Sequence, residues 1–68
     1  MMILRLNKEI YQENSLRDAV KAYEGLAEIQ WEEQSSYWVV TFRECRYEEK
    51  QTVAEFENYL IDRMNSRR

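Results

Sequence analysis

Residues 27–43 read A-E-I-Q-W-E-E-Q-S-S-Y-W-V-V-T-F-R, and this stretch decides the fold. Polar and apolar side chains alternate on both sides of a short polar connector around residues 34–36. Alternation with a period of two is typical of half-buried β-strands. The sequence therefore predicts strands at 27–33 and 37–43, joined as a β-hairpin. The apolar residues expected to share the inner face are Ala27, Ile29, Trp31, Trp38, Val40 and Phe42.

The same alternation restricts how the two strands pair. A connecting loop of two or four residues sets apolar side chains against apolar ones, whereas a one-residue slip would set glutamates against Trp38 and Val40. We predict that Trp31 lies directly opposite Trp38 as a cross-strand aromatic pair. Ile29 would then lie opposite Val40, and Gln30 opposite Val39.

Before the hairpin, the chain predicts a strand at residues 2–6, a polar loop and a helix. The segment Ser15-Leu16-Arg17-Asp18 resembles a capping box with Ser15 as the N-cap. The single glycine, Gly25, stands where the helical pattern ends, and we expect it to close the helix in a left-handed conformation. The apolar residues on one face of this helix are Leu16, Ala19, Val20 and Tyr23.

After the hairpin, the chain predicts a second helix. Thr52-Val53-Ala54-Glu55 is another capping-box pattern, although residues 48–51 could add one more turn before it. The predicted inner stripe consists of Val53, Phe56, Leu60 and Met64, with Tyr59 at its margin.

The element order β-α-β-β-α predicts an α+β fold. A right-handed crossover makes the first and second strands parallel, and the hairpin places the third strand between them. We therefore expect a two-layer sandwich with a three-stranded sheet of order 1-3-2 and two helices on one face. The other face would stay open, and the first strand would form an unprotected edge.

Composition indicates a small binding domain rather than an enzyme. The 68 residues form at most one domain, 1–68, and they include no histidine, one glycine, no proline and one cysteine. This composition lacks the usual general base, a phosphate-binding loop and metal-ligand spacing, so we expect no catalytic residue, metal or cofactor. A single cysteine fits a reducing compartment, so we expect a cytoplasmic protein, and no apolar run is long enough to span a membrane.

Three groups of residues invite a chemical function, and for each a structural role is favoured. Cys45 lacks a histidine or a second cysteine and is expected to be an ordinary thiol. Glu28 and Glu32 fit a solvated strand face better than a carboxylate pair or metal site. The aromatic residues Trp31, Trp38 and Phe42 are expected in the core rather than on a platform for nucleic-acid bases.

The predicted binding surface is the open sheet face beside the first strand. We expect a protein or peptide partner to add a strand at this edge, its side chains contacting Ile3, Arg5, Tyr37, Val39 and Arg43. A structural homodimer, pairing edge strands or open faces, is the first alternative. The second is a weak nucleic-acid binder, which the net charge of -3 disfavours. It would use Arg43, Arg46, Arg63, Arg67 and Arg68.

Two segments of the chain resemble a known family. They read I-Y-Q-E-N-S-L-R-D-A-V-K-A-Y from Ile10 to Tyr23, and E-F-E-N-Y-L-I-D-R-M from Glu55 to Met64. Together they resemble the small HxsD-like proteins of the His-Xaa-Ser peptide-modification systems. The resemblance covers about a third of the chain and rests on Tyr11, Ser15-Leu16, Ala19, Ala22-Tyr23, Glu55-Phe56, Asn58, Leu60 and Asp62. It implies an accessory protein of radical S-adenosylmethionine maturases that binds a partner or substrate peptide, with no catalytic residue to transfer.

Overall fold

A computed structural model describes residues 1–65 and shows the predicted α+β architecture. The elements are β1 (Met2–Asn7), α1 (Glu13–Tyr23), β2 (Glu28–Gln34), β3 (Tyr37–Arg43) and α2 (Glu49–Asn65). β3 lies in the centre of the sheet and pairs antiparallel with both β1 and β2, so the order β1-β3-β2 is confirmed. β1 and β2 form the two edges and run in the same direction, as predicted, because both are antiparallel to β3.

The core lies between the sheet and the two helices. Phe42 of β3 meets Phe56 of α2 edge to face, with ring centroids 5.0 Å apart, and Tyr23 of α1 meets Phe56 in the same way at 5.7 Å. The predicted inner stripes of both helices are confirmed, because their members are buried or packed against the buried cluster. The fully buried apolar side chains include Leu6, Leu16, Ala19, Val40, Phe42, Phe56 and Leu60.

Both predicted capping boxes were wrong, because each helix begins earlier. α1 begins at Glu13, so Ser15 lies within its first turn rather than at its cap. α2 begins at Glu49, which is the longer alternative, and Thr52 donates its hydroxyl hydrogen bond back to the carbonyl of Glu48 at 2.9 Å. A Ser or Thr inside a first turn produces the same sequence pattern as a cap, so the pattern alone did not fix the start.

The predicted role of Gly25 was also wrong. Gly25 does not adopt a positive φ, and α1 ends at a right-handed Glu24. The chain leaves the helix through a turn closed by the backbone hydrogen bond from Leu26 to the carbonyl of Tyr23 at 2.9 Å. Positive φ values occur instead at Ser35, in the hairpin connection, and at Glu44, after β3.

The hairpin has the predicted even loop but a different register. Ser35 and Ser36 form a two-residue connection, and Trp31 lies opposite Val40 rather than Trp38. The two tryptophans are diagonal neighbours whose rings meet edge to face, 5.6 Å between centroids. A shift of two residues keeps every side chain on its predicted face, which is why alternation did not distinguish the two registers.

Within residues 1–65, neither helix combines the length and the apolar character needed to cross a bilayer.

Candidate interaction surface

The sheet face that points away from the helices, called the open face below, is formed by alternate residues of all three strands. β1 contributes Ile3, Arg5 and Asn7, and these lie opposite Thr41, Val39 and Tyr37 of β3. The same β3 residues lie opposite Gln30, Glu32 and Gln34 of β2, respectively. The register therefore arranges this face in rows that run across the sheet from one edge to the other.

The central row carries opposite charges at its two ends. Arg5 and Glu32 flank Val39, and the neighbouring row places Ile3 and Gln30 on either side of Thr41. Glu32 accepts a hydrogen bond from the side-chain amide of Gln34 at 2.7 Å. A shallow depression of about 450 Å³ lies over β2 and β3 here, lined in part by Gln30, Glu32, Val39 and Thr41.

The five residues predicted from sequence share this face but do not form one cluster. Ile3, Arg5 and Val39 are neighbours, and Ile3 is 54% exposed. Tyr37 and Arg43 lie at opposite ends of β3, about 20 Å apart at the usual rise of a strand. A single bound segment along β1 would therefore contact Ile3 and Arg5 directly and would reach Tyr37 and Arg43 only at its two ends.

The two edges of the sheet differ in charge. Arg5 is the only charged residue of β1, whereas β2 carries Glu28, Glu32 and Glu33. Charged side chains on an edge strand oppose pairing with further strands. β2 is therefore protected against strand addition in a way that β1 is not.

The helix-facing side of β1 extends the candidate surface, and sequence reasoning missed this part. Met2 and Leu4 are only half-buried beneath α2 and pack against the core cluster. α2 packs on β1, and Ile61 is 37% exposed. Helical geometry turns Ile61 about 160° away from Tyr59, the residue that contacts Tyr23 of α1, and so toward the β1 side. The sequence indicated this partly exposed apolar residue only by the position of Ile61, directly after Leu60 of the predicted inner stripe.

The aromatic residues Trp31, Trp38 and Phe42 lie on the helix side, as predicted. Trp38 is 6% exposed, and its indole N–H donates to the carbonyl of Tyr11 at 2.9 Å. Lys8 lies over Trp38 and pairs with Glu33, and the guanidinium of Arg17 lies over the half-buried Trp31, 5.2 Å from its ring centroid. None of these rings lies on the open face, which is where a stacking platform for nucleic-acid bases would require them.

Two of the arginines of the nucleic-acid alternative, Arg43 and Arg63, lie far apart in the structure. Arg43 ends β3 beside the start of β1, where the amino group of Met1 lies 2.8 Å from Glu49. Arg63 lies about 21 Å further along α2 and bonds Asp18 of α1 at 2.9 Å. Arg67 and Arg68, which were also predicted, lie outside the described residues.

The remaining candidate residues show no assembled chemical site. Cys45 is half-buried against the core cluster. In the part of the chain that the structure describes, no group of three or more His, Cys, Asp or Glu side chains is placed to hold a metal ion.

Comparison with known proteins adds no identity. No protein-family model matches the chain, and neither do any curated protein or any solved structure.

Proposed function

We propose that this chain is a small binding domain that accepts an extended segment of a partner protein or peptide along β1. The observation that carries this proposal is the contrast between the two sheet edges. β1 presents an unpaired backbone with one charged residue, whereas three glutamates protect β2. Strand addition draws its affinity from main-chain hydrogen bonds and its specificity from alternate side chains.

The HxsD-like resemblance supports the same kind of role. An accessory protein of a radical S-adenosylmethionine peptide-maturation system would bind a substrate peptide or the maturase without a catalytic step of its own. The segments that carry the resemblance lie in α1, with the three residues before it, and in α2, and these helices build the layer behind the sheet. The proposal therefore assigns them a supporting role and assigns contact with the partner to β1.

The test uses two substitutions that are matched in row and charge. Ile3→Glu introduces a carboxylate on the open face of β1, and Gln30→Glu introduces one in the same row on β2. The tagged chain is used to capture partners from the native cell extract, and hydrogen exchange of β1 amides is then measured in the isolated complex. We expect Ile3→Glu to abolish capture and Gln30→Glu to preserve it, with the β1 amides protected in the complex. Equal capture by both variants, or protection confined to β2, would contradict the proposal.

A homodimer through the same edge is the second candidate, because β1 can pair with itself. In an antiparallel pair centred on Leu4, that residue faces Leu4 of the second copy, and Arg5 faces Ile3. The two arginines are then not directly opposed. Sedimentation equilibrium separates the candidates: a dimer that Ile3→Lys dissociates, by setting a lysine opposite Arg5 of the second copy, and that Ile3→Glu preserves favours self-pairing. A chain that stays monomeric at high concentration excludes it.

A further inference from the structure

Arg5 is the residue of β1 best placed to select what binds there. It lies on the open face of the edge strand, and within residues 1–65 it forms no ion pair. The acidic residue of its own row, Glu32, lies across the sheet on the far side of Val39. A strand added at β1 places one of its side chains directly opposite Arg5, at the short distance of a cross-strand pair.

The other side of β1 requires apolar side chains. Residues of an added strand that point toward the helices would lie beside the half-buried Met2 and Leu4. An added apolar residue at this position removes more apolar surface from water, whereas a charged one would be desolvated without a partner.

The β2 edge disfavours the same ligand. Its open-face residues include Glu28 and Glu32, so an acidic side chain placed opposite them meets a like charge. An acidic strand is therefore attracted by one edge of the sheet and repelled by the other. Because the chain itself has a net charge of -3, such a preference reflects the local position of Arg5 rather than long-range attraction.

We propose that the ligand of β1 is a strand in which apolar and acidic residues alternate. An acidic side chain lies opposite Arg5 on the open face, and apolar side chains pack beside Met2 and Leu4. This inference rests on the proposed strand addition and specifies the chemistry of the partner.

The test uses two blocked heptapeptides whose side chains read the same in both directions. The acidic probe is Thr-Val-Glu-Val-Glu-Val-Thr, and the basic probe has lysine in place of both glutamates. Each is titrated into the full chain, and amide chemical shifts and hydrogen exchange are followed separately for β1 and β2. We expect the acidic probe to protect β1 amides and to bind there about fivefold more tightly than the basic probe, the usual range for a cross-strand charge pair.

Two variants assign the preference to one residue. Arg5→Glu should reverse the order of the two probes, and Arg5→Gln should remove the difference while leaving folding intact. The control Arg46→Glu changes the net charge by the same amount as Arg5→Glu, but at an exposed residue beyond β3. It should leave the preference for the acidic probe unchanged.

The outcomes separate this inference from the function on which it rests. Protection of β1 by both probes with equal affinity overturns the inference but leaves strand addition standing. Preference of β1 for the basic probe, or binding of the acidic probe at β2, also overturns it. If neither probe protects β1 amides, strand addition itself fails and the inference fails with it.

Discussion

Two buried hydroxyl groups show how single residues contribute differently to stability. Ser15 is 2% exposed, and its Oγ has no hydrogen-bond partner within the described structure. Thr52 is equally buried, but its hydroxyl bonds the carbonyl of Glu48. A buried hydroxyl without a partner has lost its hydration and gained nothing in exchange, whereas a bonded one offsets that cost.

This difference predicts opposite effects of removing the two hydroxyls. Ser15→Ala should raise the free energy of unfolding by about 1 kcal/mol, because it removes an unpaired polar atom and adds a better helix former. Thr52→Val should lower it by about 1 kcal/mol, because it breaks a hydrogen bond while keeping the shape of the side chain. Urea unfolding of both variants measures the two changes. A loss of stability in Ser15→Ala would show that the Ser15 hydroxyl is bonded after all.

At the scale of the elements, the hairpin shows that alternation of polar and apolar residues does not determine the pairing register of two strands. The predicted and the observed pairing place the same residues on the same faces and differ by two positions along β2. The observed register is accompanied by contacts from outside the hairpin. Lys8 donates to the carbonyl of Ser35 at 3.2 Å and pairs with Glu33, and Trp38 bonds the backbone of Tyr11. The segment after β1 therefore holds the end of the hairpin in this register.

Engineered cysteines can measure the register directly. In a Cys45→Ser background, the pair Gln30→Cys with Thr41→Cys should form a disulfide, since these residues lie directly opposite each other. The pair Gln30→Cys with Val39→Cys should not, because a diagonal offset separates the Cα atoms by about 8 Å. Titration of free thiols after mild oxidation measures which pair has formed a disulfide. A disulfide in the second pair alone would contradict the observed register and support the one predicted from sequence.

At the scale of the whole molecule, the small size of the core makes stability depend on few residues. A core of this size supplies about 3–5 kcal/mol of net stability. Phe56 is fully buried where β3 and both helices meet, and it contacts Phe42 and Tyr23. Its truncation therefore removes contacts that join all the layers.

We expect Phe56→Ala to leave the chain largely unfolded at 25 °C, because the loss of about 3–5 kcal/mol equals the whole stability. Ile61→Ala, on the same helix but partly exposed, should cost less than about 1.5 kcal/mol and remain folded. Far-ultraviolet circular dichroism and thermal melting compare the two variants. A cooperative melt of Phe56→Ala near that of the parent chain would show that the core does not depend on this residue.

The sequence by itself determined the order of the elements, the faces of both helices and the strand residues that point inward. These properties follow from local periodicity, which each segment carries independently of the rest. The parallel crossover together with the hairpin, which places the third strand between the first two, then predicted the sheet order β1-β3-β2. For the candidate surface, the same periodicity placed Ile3, Arg5, Tyr37, Val39 and Arg43 on the open face.

Only the tertiary structure decided the register, the helix starts and which surface residues are neighbours. A two-residue shift leaves alternation unchanged, and Ser15 or Thr52 fits either a cap or a first turn. The observed register and helix starts are accompanied by contacts between segments that are distant in the chain. Lys8 and Tyr11 contact the hairpin, and α2 packs on β1. The row that joins Arg5, Val39 and Glu32 exists only once those contacts have formed. Local patterns encode which face a residue occupies, whereas its position along that face depends on the energy of packing between segments.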